Sequence, residues 1–360
     1  MLLEGMFISV TTPFYANGAC YWRKLEHNVD RYSRTPAAGM VVLGPRSEAA
    51  GLSDEERRES LRVASDTAAK EKVLIAGAGA ASVAGAARIA EQAAEAKFDA
   101  VLLWAPAEWR RLVRGGANGA DASFAQVEMF FRAVADRSPL PVVLWSDASA
   151  GGFEIPVEMV GALAGHPNVM GLMDMGLTVE RLSAVRAATA DVKHEATVTT
   201  VFAAVTGRML EVSREGEATF VAADALSSGG ASVAVAPLKP AIKTRTKTIG
   251  FQVIHAGAAS ASVDLLEAGV QGVMPELAAC APQGCHEVWA AFQDGDPALA
   301  QLKAERLREA DAVVSALGVA GVKYACDLNG YYGGAPRLPR VGLTAEEKAR
   351  VEQALREVRN

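Results

Sequence analysis

The chain has 360 residues, half of them hydrophobic and 22% charged, with a formal net charge of −6. That is a globular composition, long enough for one large barrel with an appendage or for two ordinary domains. The acidic balance argues against nucleic acid and anionic membrane surfaces as partners, and no apolar run approaches the roughly 18 residues of a membrane span.

Along the chain, short apolar runs alternate with longer amphipathic ones. The opening MLLEGMFISVTTPF has no basic leader region and carries Glu4, so it is not expected to be a signal peptide. Residues 6–10 are the first expected strand and residues 40–44 (MVVLG) the second. Ser53 and Glu56 have the spacing of a capping box at the start of a helix. Residues 73–77 form the third strand, followed by an alanine-rich helix over 83–97. Residues 100–104, 141–145, 169–173, 251–254 and 272–274 complete a set of eight. These runs are apolar throughout, which suits parallel strands covered on both faces. Eight strand–helix units within residues 1–294 predict an α/β fold, a (β/α)8 TIM barrel. A doubly wound sheet is the alternative, but no GxGxxG turn follows the first strand.

Two regions break the rhythm. Residues 191–250 contain Thr- and Val-rich stretches at 196–201 and 218–222 and a small-residue run at 227–232. A structureless loop of that length would be unusual, so a small β-rich insertion is expected before the seventh strand, at the face opposite the barrel mouth. Its basic cluster of Lys239, Lys243, Arg245 and Lys247 reads as a solvated loop. Residues 295–360 read as a C-terminal helical region, with Thr344 and Glu347 spaced as a second capping box.

Four cysteines, Cys20, Cys280, Cys285 and Cys326, form neither a CxxC pair nor a disulfide framework, which makes a reducing cytoplasm the default location. The C-x4-C-H run ending at His286 fits no usual zinc spacing.

Several anchors stand in a familiar order: Val10-Thr11-Thr12-Pro13-Phe14, Gly44 with Glu48, GLSDEE at 51–56, PVVLW at 141–145 and HPNVMGLMD at 166–174. Glu180-Arg181-Leu182, Gly295-Asp296, Gly321-Val322-Lys323 and the Leu338-Pro339…Leu343 stretch follow. Together they resemble the dihydrodipicolinate synthase and N-acetylneuraminate lyase family. The resemblance implies a barrel with a three-helix tail, a homodimer or homotetramer, lyase chemistry and a small keto-acid ligand. It also marks a set of changed positions. The lysine that forms the pyruvate Schiff base falls on Met173, and the proton-shuttling tyrosine on Trp145. The two carboxylate-holding threonines fall on Pro45 and Arg46. The interface tyrosine falls on Glu108, and the substrate-recruiting arginine near Ala150. A thioether cannot form an imine, proline has no N–H, and an indole cannot serve as acid and base. No family catalytic residue is retained.

Three functional readings follow. The first is an enzyme of lyase type that needs no imine. The second is a catalytically silent homologue with a binding or regulatory role. The third is an aldolase with a relocated lysine, for which Lys193, Lys239, Lys243, Lys247 and Lys323 are poorly placed. The expected mouth pocket comprises Arg46, Glu48, Trp104, Glu108, Trp145, Asp147, Met173, His255 and Glu276, because barrel chemistry sits at the C-terminal ends of strands. Asp174 follows Met173 and should point away from the axis. No organic cofactor is expected. The one alternative is a divalent metal on His255 with Glu276 or Asp147, set against solvated charges in ordinary pairs. Trp104, Trp145 and Met173 either line an apolar pocket or fill the barrel core.

Overall fold

Eight apolar runs with no polar face to offer to water pair side by side and close on themselves. The computed structural model describes residues 1–106, 120–149, 152–215 and 242–358. The barrel strands are β1 (Gly5–Ser9), β2 (Gly39–Val42), β3 (Val73–Gly77), β4 (Ala100–Leu103), β5 (Val142–Ser146) and β6 (Val169–Asp174), then β9 (Gln252–His255) and β10 (Gly272–Val273). All are parallel, and β10 closes against β1. Each lies within two residues of the run expected from the sequence.

A helix follows each barrel strand. In order these are α1 (Trp22–Ser33), α2 (Asp54–Thr67), α3 (Val83–Glu95), α4 (Ala120–Ala135), α5 (Val157–Ala164) and α6 (Val179–Ala188), with α8 (Ser262–Glu267) after β9 and α9 (Pro282–Gln293) after β10. The tail comprises α10 (Pro297–Ala316), α11 (Gly318–Leu328) and α12 (Ala345–Ala354). This is a (β/α)8 barrel with a C-terminal helical tail. Both expected capping boxes form, at Ser53 with Glu56 and at Thr344 with Glu347.

Strand alternation builds two apolar layers. Outward residues such as Leu74, Val101, Leu144 and Leu172 pack with the helices. Inward residues such as Phe7, Ile75, Leu102, Trp145, Met173 and Ile254 fill the barrel. The interior is therefore a packed core rather than a channel.

Between α6 and β9 the chain forms an antiparallel ribbon, β7 (His194–Thr199) with β8 (Thr244–Ile249), and the helix α7 (Gly207–Glu215). They pack at the N-terminal end of the barrel. Ala204 joins the interior cluster there, Thr206 donates to the Lys70 carbonyl at 2.5 Å, and the buried Arg208 guanidinium donates to the Ala68 and Lys72 carbonyls. Half of the basic cluster is not a loop, while Lys243 lies just before β8. Arg245 and Lys247 belong to β8, within reach of the Phe202 ring, because the Thr-rich pattern pairs as strand. Lys239 and the stretches at 218–222 and 227–232 lie outside the described residues. Among the described residues no helix is long and apolar enough to cross a membrane.

Candidate active site at the barrel mouth

The turn after β2 starts the site. Leu43 (φ 58°) and Glu48 (φ 61°), both non-glycine residues in the left-handed region, flank Gly44-Pro45-Arg46-Ser47. Such backbone costs on the order of 1–3 kcal/mol per residue and persists only where surrounding contacts hold it. Here Glu48 supplies them. Its Oε1 lies 2.6 Å from Lys323 Nζ of α11, and its Oε2 accepts the Arg337 N–H at 2.9 Å. Lys323 also lies over the Phe14 ring and donates to the Ala335 carbonyl. Burial holds the Lys323 amine below its usual pKa even with Glu48 beside it. Glu48 and Lys323 therefore pin the tail to the mouth.

Arg337 strengthens that attachment. Its guanidinium makes a fork to Glu56 at 2.6 and 2.7 Å and donates to the Gly18 and Gly51 carbonyls. The Glu56 carboxyl is drawn down to about 2, chiefly by this hydrogen bond. Three residues on, the exposed Arg340 side chain is delivered to the mouth.

A cavity of about 380 Å³ opens at the C-terminal ends of the strands. Among its walls are Arg46, Glu48, Trp104, Trp145, Asp147 and Arg340. Trp145 faces inward on β5, and Trp104 follows β4. The Trp104 indole lies so close to Gly79 that a Cβ there would fall 1.9 Å from the ring, which leaves the space to the tryptophan. Gly152 is held against Asp147 in the same way, a Cβ there falling 2.4 Å from the carboxyl carbon. Asp147 Oδ1 accepts the Ser149 N–H at 2.8 Å, which fixes the turn at the cavity wall.

Of the nine residues expected in the pocket, five line this cavity and three do not. Met173 lies beneath it, fully buried beside Trp145 in register across β5 and β6. His255 pairs in register with Asp174, one residue past the inward Met173, and both point away from the axis. His255 Nε2 donates to the Ala258 carbonyl at 3.0 Å, and burial lowers its pKa, so it is a neutral histidine on the helix side. Glu276 supports the site from behind. Its Oε1 lies 2.6 Å from Arg46 Nε, and burial pushes its carboxyl pKa up against the pull of Arg46. Glu108 and Ala150 lie outside the described residues.

Asp174 points outward as its parity requires, accepting from Arg181 Nε at 2.7 Å and from the Gly176 N–H. Glu48, Asp174 and Glu276 are pair partners, as the alternative to a metal site expected, but they are buried rather than solvated and are paired across elements. Among the described residues no three His, Cys, Asp or Glu side chains come together to hold a metal ion. All four cysteines are buried thiols outside any disulfide, and burial raises Cys280 and Cys285 well above the ordinary thiol range. Sequence reasoning missed Arg340 and Phe153. Arg340 is brought to the mouth by contacts such as Glu48 to Arg337, nearly 290 residues apart, which no local pattern announces.

The profile of the Dihydrodipicolinate synthetase family matches residues 2–199 and 230–358. A 4-hydroxy-tetrahydrodipicolinate synthase of Xanthomonas axonopodis pv. citri is 31% identical over 194 residues, which are 53% of this chain and 60% of that protein. The match thus spans about three-fifths of that relative. An L-threo-3-deoxy-hexylosonate aldolase of Hypocrea jecorina is 25% identical over 338 residues, covering 92% of this chain and 88% of its own. The crystal structure of a dihydrodipicolinate synthase from Bacillus anthracis superposes with a TM-score of 0.75, covering 100% of each chain at 21% identity. That last likeness concerns the fold.

Proposed function

Because the chain belongs to the dihydrodipicolinate synthetase family, we propose that it is a lyase-type barrel that takes a small metabolite at its mouth and works without a Schiff base. The observation that carries this reading is that no lysine is among the described residues lining the cavity. An imine-forming lysine must present a neutral amine to the carbonyl carbon within the site. Met173 offers a thioether below the cavity floor, and Lys323 is committed to Glu48 and fully buried.

The remaining groups suit binding and proton transfer. Trp145 and Trp104 give apolar walls, Arg46 and Arg340 give cations, and Asp147 is the carboxylate at the wall without a cation partner among the described residues. We assign Asp147 the proton-transfer role, since it reaches the cavity and His255 does not. A silent homologue is the second reading, favoured by the way Trp145 and Met173 close the top of the barrel.

Incubation with pyruvate and borohydride, followed by intact-mass measurement, tests the proposal. The expected result is an unchanged mass. A stable pyruvyl adduct would overturn it, and peptide mapping would then name the lysine.

A further inference from the structure

We infer that Arg340 is the residue by which the mouth selects its ligand, and that the ligand is a small monocarboxylic acid with a flat apolar body. This rests on the mouth cavity being the ligand site. Four charged side chains stand on the described wall: Arg46, Glu48, Asp147 and Arg340. Arg46 is engaged by Glu276 at 2.6 Å, and Glu48 by Lys323 at 2.6 Å. Arg340 has no carboxylate partner among the described residues, yet it is not a loose surface arginine. The backbone three residues before it is fixed at Glu48, and its own N–H donates to the Arg337 carbonyl at 3.1 Å. The barrel thus holds in place a tail segment whose uncommitted cation faces the cavity.

A guanidinium on a fixed segment recognises a planar oxyanion through two parallel N–H donors, which favours a carboxylate. A dianion fits poorly, because Glu48 is already paired with Lys323 and the unpaired Asp147 carboxylate would repel a second negative charge, with Arg340 the single uncommitted cation among the described residues of the wall. The rest of the ligand is read by the walls. Trp104, Trp145 and Phe153 present aromatic surface to the same space, and aromatic side chains stack favourably on flat apolar groups. The geometry therefore pairs one charged contact at the tail side with an apolar bed on the strand side.

Phenylacetate and phenylacetamide share shape and differ in charge, so titrating each by calorimetry isolates the Arg340 contact. Phenylacetate is expected to bind saturably and on the order of tenfold tighter than the amide, as a charge-assisted hydrogen bond implies. Arg340→Gln is expected to remove that preference and leave the melting temperature unchanged, since the side chain is exposed. Acetate and malonate are expected to bind more weakly than phenylacetate. If Arg340→Gln retains the preference, the Arg340 assignment falls, while loss of binding in Trp104→Ala would leave the cavity standing as the ligand site. If malonate binds tightest, the monoanion assignment falls. If neither aromatic probe saturates, the ligand class is wrong, and the imine-free reading still stands or falls on the borohydride experiment alone.

Discussion

Met173 occupies an inward position on β6, fully buried among Trp145, Ile254 and Met274. At that depth nothing among the described residues waits to receive an ammonium group. Introducing one by Met173→Lys places an unpaired charge in the packed interior, where desolvation lowers the amine pKa. The expected loss at pH 7 is about 3 kcal/mol, the cost of an uncompensated buried charge. The sign with pH follows from linkage. The folded amine titrates below the unfolded one, so the penalty is complete below the folded pKa. It fades as pH rises towards the unfolded value of about 10.4. Urea midpoints of the variant and the parent at pH 7 and pH 10.5 measure this. Equal midpoints at pH 7 would show that a lysine fits this position unaided. The same parity explains what the sequence could and could not tell at this scale. Alternation placed Asp174 away from the axis. Applied to His255, one residue past the inward Ile254, it would also have removed that histidine from the mouth.

At the scale of elements, the strands and capping boxes were legible because they depend on residues close in sequence. An apolar run of four or five residues between helix signals is a local property, as is a serine three residues before a glutamate. The lacing of tail to barrel was not legible, because it joins the turn after β2 to α11 and the turn after β9 to α10. Asp311 shows how much that lacing matters. It lies buried on α10, its Oδ2 accepts the Ala259 N–H at 2.5 Å, and burial raises its pKa to about 6, with Glu276 pushing the same way. Because the folded pKa is raised, the native state binds more protons than the unfolded chain between about pH 4 and pH 6. Stability from this group therefore falls as pH rises through that window. A shift of about two units corresponds to about 3 kcal/mol. Asp311→Asn keeps an acceptor for Ala259 and removes the charge. It is expected to match the parent near pH 4 and exceed it by up to about 3 kcal/mol at pH 8, read from denaturant melts at both pH values. A parent more stable than the variant at pH 8 would mean the ionised carboxylate is welcome there.

At the scale of the whole molecule, the barrel has one end that opens on the mouth cavity and another closed by the ribbon and α7. The Thr- and Val-rich composition of 196–201 announced strand, but not what the segment does. That depends on Thr206 and Arg208 meeting carbonyls about 136 residues earlier. Those carbonyls, of Ala68, Lys70 and Lys72, belong to the end of α2 and the turn into β3. A helix C-terminus leaves such groups without partners of its own, and the segment between β6 and β9 supplies them. The ribbon itself buries little apolar surface, chiefly Ala196 and Val198 against Leu2. Its local stability should therefore rest on the polar anchor more than on a core. Arg208→Ala removes a buried, charge-assisted donor to two carbonyls, a loss of about 3 kcal/mol. Hydrogen exchange should then show the amides of β7 and β8 opening faster by two orders of magnitude, as that energy implies. The amides of β5 and β6 should keep their protection, and phenylacetate binding at the far end should be unchanged. Equal acceleration of ribbon and barrel amides would instead mean that the two open together, and that the barrel cannot close its N-terminal end without this segment.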